Sequence, residues 1–208
     1  MIQSFVNQAP TLQPTQGGKK GKQTGFTLIE LMITMSIAAI LLTVAVPSFN
    51  TTIANNRLAT HTNSLVTDLN VARSEAVKRG TTVVLCSSSN PNAAAPTCIG
   101  SGNIWTSGWI VFVNGTGDTD ASQFAAATDT LLKVSSGATG TTTVLSGATL
   151  NVFNYRADGT NSGAVADFAI CDDRGVNFGR QVQIRTTGRP RLISGDATTP
   201  LGSCTSPS

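Results

Sequence analysis

The sequence predicts an α+β protein in which a long N-terminal α-helix, transmembrane in its first half, packs on an antiparallel β-sheet domain. Three observations carry this prediction. No charged residue occurs between Glu30 and Arg57, and the stretch is rich in Leu, Ile, Val, Ala and Met. Directly after it, Leu58, Leu65, Leu69, Ala72 and Ala76 fall at spacings that share one helical face. Beyond Gly80, short β-branched and aromatic segments alternate with Gly, Asn, Asp and Pro clusters, the pattern of a turn-rich β domain. A length of 208 residues allows one such domain plus an anchor.

The elements follow in order. Residues 1–25 are polar and broken by Pro10, Pro14 and Gly17-Gly18, and read as a leader that is removed. Residues 26–49 read as the membrane helix: such a length spans about 36 Å as a helix, against a hydrocarbon core of about 30 Å. Pro47, near its end, is expected to kink the helix or loosen one turn. Residues 50–80 continue as an amphipathic helix, with Arg57, Asp68, Asn70, Arg73 and Lys78 largely off the apolar face, and Lys78-Arg79-Gly80 as the stop. Residues 81–208 form the β domain. Strands are expected at Thr81–Cys86, Trp109–Val113, Leu131–Val134, Thr143–Leu145, Leu150–Tyr155, Val165–Cys171 and Gln181–Arg185, with Arg189–Ile193 closing a hairpin. Residues 87–103 read as a loop, and Asn114–Asp120, Asp158-Gly159 and Asp172–Gly175 as turns.

Charge is informative only by segment. The formal net charge is +3, but Lys19, Lys20 and Lys22 supply all of it; without the leader the side chains sum to about zero. Those lysines hold the N-terminus on the cytoplasmic side. Near the other end, Arg174, Arg180, Arg185, Arg189 and Arg191 lie in a stretch with no acidic residue among them and no lysine. The planar guanidinium fork suits bidentate contact with phosphate. In the Gln181–Arg185 strand, Val182 and Ile184 share one face, which turns Gln181, Gln183 and Arg185 to the other. Gly188 permits a tight turn and Pro190 stiffens the backbone between Arg189 and Arg191. Such a tip suits backbone phosphates with little sequence preference, and the scarcity of aromatics argues against base stacking.

Enzymatic chemistry and cofactors find no support. His61 is the single histidine and reads as a surface residue, which leaves no zinc set of usual spacing and no general-base triad. Asp118, Asp120 and Asp129 match no calcium loop and read as a solvated turn. Trp105 and Trp109 read as core or rim. Cys86, Cys98, Cys171 and Cys204 all follow the membrane run, on the side expected to be oxidising, and allow three pairings.

The run Lys19-Lys20-Gly21-Lys22-Gln23-Thr24-Gly25-Phe26-Thr27-Leu28-Ile29-Glu30-Leu31 places a glycine, a phenylalanine and a lone carboxylate at the head of the apolar helix. A carboxylate there is costly and calls for a partner. The run resembles the class III signal of type IV pilins and type II secretion pseudopilins. The resemblance implies cleavage by prepilin peptidase between Gly25 and Phe26, N-methylation of Phe26, and a role for Glu30 in subunit assembly. Arg73-Ser74-Glu75-Ala76-Val77-Lys78-Arg79, the strand ending in Cys86, Trp105 and Gly108–Val113 resemble the GspH/FimT branch of that superfamily. Gly188-Arg189-Pro190-Arg191 fits the Gly-Arg-x-Arg motif of FimT minor pilins, where it is implicated in binding DNA during uptake.

The resemblance implies a non-enzymatic minor pilin of a type IV pilus, most like FimT. It would bind extracellular double-stranded DNA for natural transformation through Arg189 and Arg191, with Arg185, Arg180 and the turn residue Gly188. The alternative is a GspH-like minor pseudopilin of a type II secretion system with a structural, protein-contacting role. Either implies other pilins or pseudopilins as partners, a single pass through the inner membrane with a periplasmic C-terminal domain, and later residence in a fibre. The resemblance also favours the local pairing, Cys86–Cys98 and Cys171–Cys204.

Overall fold

The structure, a computed structural model, describes residues 25–115, 122–147, 150–161, 165–195 and 203–204. The expected leader over 1–24, the turn at 116–120 with Asp118 and Asp120, and most of the tail lie outside the described residues. The chain divides into two compact units, Met1–Ala45 and Val46–Ser208.

Helix α1 runs Leu28–Arg79. Thr27 caps its start, its Oγ1 accepting the Glu30 backbone N–H at 3.2 Å. In the first unit its apolar side chains are exposed, and the helix is long and apolar enough to cross a membrane. It continues through Pro47, which lies inside the helix. In the second unit Leu58, Thr62, Leu65, Leu69, Ala72 and Ala76 are buried, each three or four residues from the next, so Thr62 fills the gap in the apolar stripe. Gly80, at φ 65°, ends the helix with its N–H on the Ala76 carbonyl at 2.9 Å.

Among the described residues eight strands follow: β1 Val83–Ser87, β2 Gly108–Val113, β3 Thr130–Ser136, β4 Thr143–Ser146, β5 Val152–Tyr155, β6 Ala166–Cys171, β7 Arg180–Ile184 and β8 Pro190–Ser194. They form two four-stranded sheets rather than one, ordered β3-β2-β1-β5 and β4-β6-β7-β8. Every pairing is antiparallel. The β2–β3 ladder pairs Val111 with Lys133 and Phe112 with Leu131, so Leu132 forms a bulge.

The core packs the α1 stripe against the inner faces of both sheets, including Val83, Leu85, Trp109, Val111, Phe153, Tyr155, Phe168, Val182 and Ile184, and against Trp105 from the segment before β2. Both tryptophans lie in this core. A second cluster on the outer face of the first sheet joins Val84, Cys86, Ile110 and Phe112 to Cys98, which is disulfide-bonded to Cys86. That cover explains why β1 and β2 are buried on both faces and read as continuous apolar runs. On the second sheet, Cys171–Cys204 holds the tail residue Cys204 against Ala169, Val176 and Ile193.

Two sequence expectations are corrected by burial. Asp68 does not face solvent: it is fully buried and accepts hydrogen bonds from Trp109 Nε1 (2.8 Å) and Ser135 Oγ (2.7 Å), with the Lys133 ammonium on its other oxygen. Asp129 is not a solvated turn residue: it is buried and accepts the backbone N–H groups of Gly115 and Ala125, each at 2.9 Å.

Candidate functional site

The hairpin β7–β8 carries three of the candidate arginines, Arg185, Arg189 and Arg191, at or beside its turn. Its register pairs Ile184 with Pro190, Gln183 with Arg191 and Val182 with Leu192. The turn is closed by the Gly188 N–H donating to the Arg185 carbonyl at 2.8 Å, with Gly188 at φ 74°. A turn of this kind followed by a left-handed glycine is a common way to close a hairpin. Gly188, a candidate for ligand contact, is buried, so what it contributes to the turn is its shape. A Cβ there would stand 2.2 Å from the Gly159 carbonyl oxygen and 3.0 Å from the Tyr155 ring.

Gly188→Ala is therefore expected to destabilise the domain by about 2 kcal/mol or more, the left-handed penalty alone being roughly 1–2 kcal/mol. Chemical denaturation checks this. An unchanged midpoint would mean that the tip is not seated against Gly159.

The turn is docked from beneath. Tyr155 Oη donates to the Gly188 carbonyl at 3.0 Å, and the Asn161 N–H to the Thr186 carbonyl at 3.4 Å. Arg73 on α1 donates through Nη2 to the Thr187 carbonyl (3.2 Å) and through Nε to the Gly159 carbonyl (2.9 Å). Burial pushes the Tyr155 phenol above its ordinary pKa, and the nearby Arg73 charge offsets this only in part. The hydroxyl thus remains a donor at physiological pH. Neither residue was a site candidate in the sequence, although Arg73 borders the apolar stripe between Ala72 and Ala76.

The arginines separate into three groups. Arg185, Arg189 and Arg191 are exposed at or beside the tip, and among the described residues none has an acidic partner. Arg191 is paired with Gln183, on the strand positions that alternate with buried Val182 and Ile184. Arg180 lies elsewhere. It begins β7 opposite Ser194, on the positions shared with Val182 and Ile184, and lines a recess with Asn55, Asn177, Phe178 and Gly195. Five residues of strand place it about 17 Å from the turn.

Arg174, part of the basic stretch, is neutralised. Its Nη2 is 2.6 Å from Asp172 Oδ2, its Nη1 donates to Asn55 at 2.9 Å, and its guanidinium stacks 4.6 Å from the Phe178 ring centre. The five-arginine excess becomes a local cluster of three.

The remaining candidates are plain. Gly25 has open space around it, Phe26 is 83% exposed, and Glu30 is exposed in the first turn of α1. His61 is half-buried rather than on the open surface. Burial lowers its pKa, and its Nε2 accepts the Thr139 N–H at 3.2 Å, which makes it a neutral structural acceptor. Among the described residues no cluster of His, Cys, Asp or Glu has the makings of a metal site.

Comparison with known proteins agrees with this architecture. The family described as Type II transport protein GspH matches residues 61–188, and the prokaryotic N-terminal methylation motif matches residues 20–46. Two crystal forms of the Pseudomonas aeruginosa type IV minor pilin FimU share the fold, with TM-scores of 0.52 and 0.53 at 22% identity. They cover 71% and 72% of this chain and 99% and 96% of their own. No curated protein matches.

Proposed function

The chain belongs to the GspH family of pilins and pseudopilins, and on that premise we propose that it is a FimT-like minor pilin of a type IV pilus that binds extracellular double-stranded DNA. The family and fold are those of structural pilins, so its work is assembly and binding rather than catalysis. The observation that carries the DNA reading is the rigid, exposed tip with Arg189 and Arg191 flanking Pro190, Arg185 beside them, and no acidic partner among the described residues. Paired guanidinium groups on a stiff turn suit phosphate oxygens, and phosphate contact carries no sequence information in itself. Tyr155, the aromatic nearest the turn, is buried with its hydroxyl engaged, so base stacking has no platform there. DNA titration of the Arg189/Arg191 variant tests this reading.

A second reading is favoured by the description of the matched family itself: a GspH-like minor pseudopilin whose basic tip meets another protein. In that case the tip variants would weaken a protein–protein interaction and leave DNA titrations unchanged.

Maturation belongs to the same proposal. Prepilin peptidase cuts between Gly25 and Phe26, Phe26 is methylated, and the positive amine of a neighbouring subunit's Phe26 pairs with Glu30 in the fibre. Gly25 and Phe26 are open to an enzyme in the monomer. Leaving one charge of such a pair alone in an apolar setting costs about 3 kcal/mol or more. Glu30→Ala is therefore expected to keep membrane insertion while crosslinking to other pilins drops at least tenfold. Wild-type crosslinking of this variant would sink the pairing.

A further inference from the structure

We propose that Arg73 is the positioning residue of the hairpin tip, holding the turn in the conformation from which Arg185, Arg189 and Arg191 meet the DNA backbone. The inference rests on the DNA-binding reading and deepens it.

Four successive carbonyl groups of the turn are occupied within the protein: Arg185 by the Gly188 N–H, Thr186 by the Asn161 N–H, Thr187 by Arg73 Nη2 and Gly188 by Tyr155 Oη. Carbonyl oxygens carry partial negative charge and would repel a phosphate. With all four engaged by donors of the same chain, the side of the turn left to solvent is the one bearing the arginine side chains, which are exposed.

Arg73 has a particular place in this arrangement. Two of its nitrogens reach two different loops, Gly159 after β5 and Thr187 in the β7–β8 turn. Gly188 seats on Gly159 so closely that no Cβ fits between them. Arg73 therefore ties the turn both directly and through the residue on which the turn rests. It does so from α1, which buries Ala72 and Ala76 on either side of it in the core and is accordingly rigid. A binding loop fixed in this way loses little freedom when it meets a ligand. Lysine, with one ammonium, is not shaped to serve both carbonyls from a planar fork.

The test uses the full chain in detergent micelles with a fluorescent duplex, titrated over a range of salt concentrations. Amide hydrogen exchange is followed at Gly188. Arg73→Met keeps the aliphatic stem and removes the donors, Arg73→Lys is the conservative variant, and Tyr155→Phe removes a different tether of the same turn. Arg73→Met is expected to bind about tenfold more weakly with an unchanged slope of log K against log salt, because every phosphate-binding arginine is still present. Gly188 exchange is expected to quicken. Arg73→Lys should fall between, and Tyr155→Phe should repeat the pattern.

A slope reduced by about one unit with Gly188 exchange unchanged would make Arg73 a phosphate contact instead, and overturn the inference. Quickened exchange with wild-type affinity would overturn it too, since the position of the turn would then not matter. If Arg189→Gln with Arg191→Gln binds DNA like the wild type, the DNA reading itself has failed and takes this inference with it. The two failures are thus told apart by which variant retains binding.

Discussion

Arg189→Gln combined with Arg191→Gln is expected to weaken duplex binding by roughly 60-fold at 0.1 M salt and to lower the salt slope by about 1.8 units, at about 0.9 for each phosphate no longer neutralised. Both numbers come from the same cause. Each arginine that neutralises a phosphate releases condensed counterions, and the entropy of that release grows as salt is diluted. Glutamine is shorter than arginine but remains polar and able to hydrogen-bond, so the change in salt slope, which counts charges, is the readout that isolates the lost charge. Both positions are exposed, which keeps the fold out of the measurement.

Two further arginines give internal controls. Arg180→Gln should leave the affinity within about twofold of the wild type and the slope unchanged, since Arg180 stands about 17 Å along the strand from the turn. Arg174→Gln should also leave the slope unchanged, because the Arg174 charge is already spent on Asp172. A double variant that binds as tightly as the wild type, with an unchanged slope, would remove the tip as the DNA site. It would favour the reading in which the tip meets a protein.

The separation of these arginines shows what the sequence discloses and where it stops. Periodicity is local, so the α1 stripe, the buried β2 run and the alternation of β7 were all legible. Val182 and Ile184 are buried as the alternation requires. Pairing between distant strands is not local: β1 lies between β2 and β5, and β4 pairs with β6, so the division into two sheets left no trace in any single segment. The same distance hid Arg73, whose acceptors lie 86 and 114 residues further along the chain.

Arg174 is a different case. Its partner Asp172 is two residues away, just before the acid-free stretch that Arg174 opens. Asp68 was partly legible: it follows Leu65 by three residues and so falls on the buried face. A carboxylate is nonetheless read as outward unless its donors are known, and these lie 41 and 67 residues away in sequence.

Asp68→Ala is expected to cost about 3–5 kcal/mol of stability, the range for removing one partner of a buried ion pair. The carboxylate satisfies three donors at once, Trp109 Nε1, Ser135 Oγ and the Lys133 ammonium, and alanine leaves each without its acceptor. The cost should lie in the lower half of that range, because the Lys133 side chain is 36% exposed and its ammonium is able to turn toward water. The Ser135 hydroxyl keeps the Ser64 hydroxyl at 3.2 Å as an alternative partner, whereas the buried indole N–H has no such route. For a domain of this size the loss corresponds to a melting temperature lower by roughly 10 °C.

The ion pair also explains why an edge strand carries a lysine on its inner face. β3 closes one side of its sheet, and an inward-pointing charge discourages a foreign strand from adding there. Asp68 is what makes that lysine tolerable beside the core. On this account Lys133→Met in the Asp68→Ala background should recover part of the loss, at the expense of more aggregation in the refolded protein. Additive destabilisation of the two substitutions, measured in a double-mutant cycle, would show that the pair is not coupled.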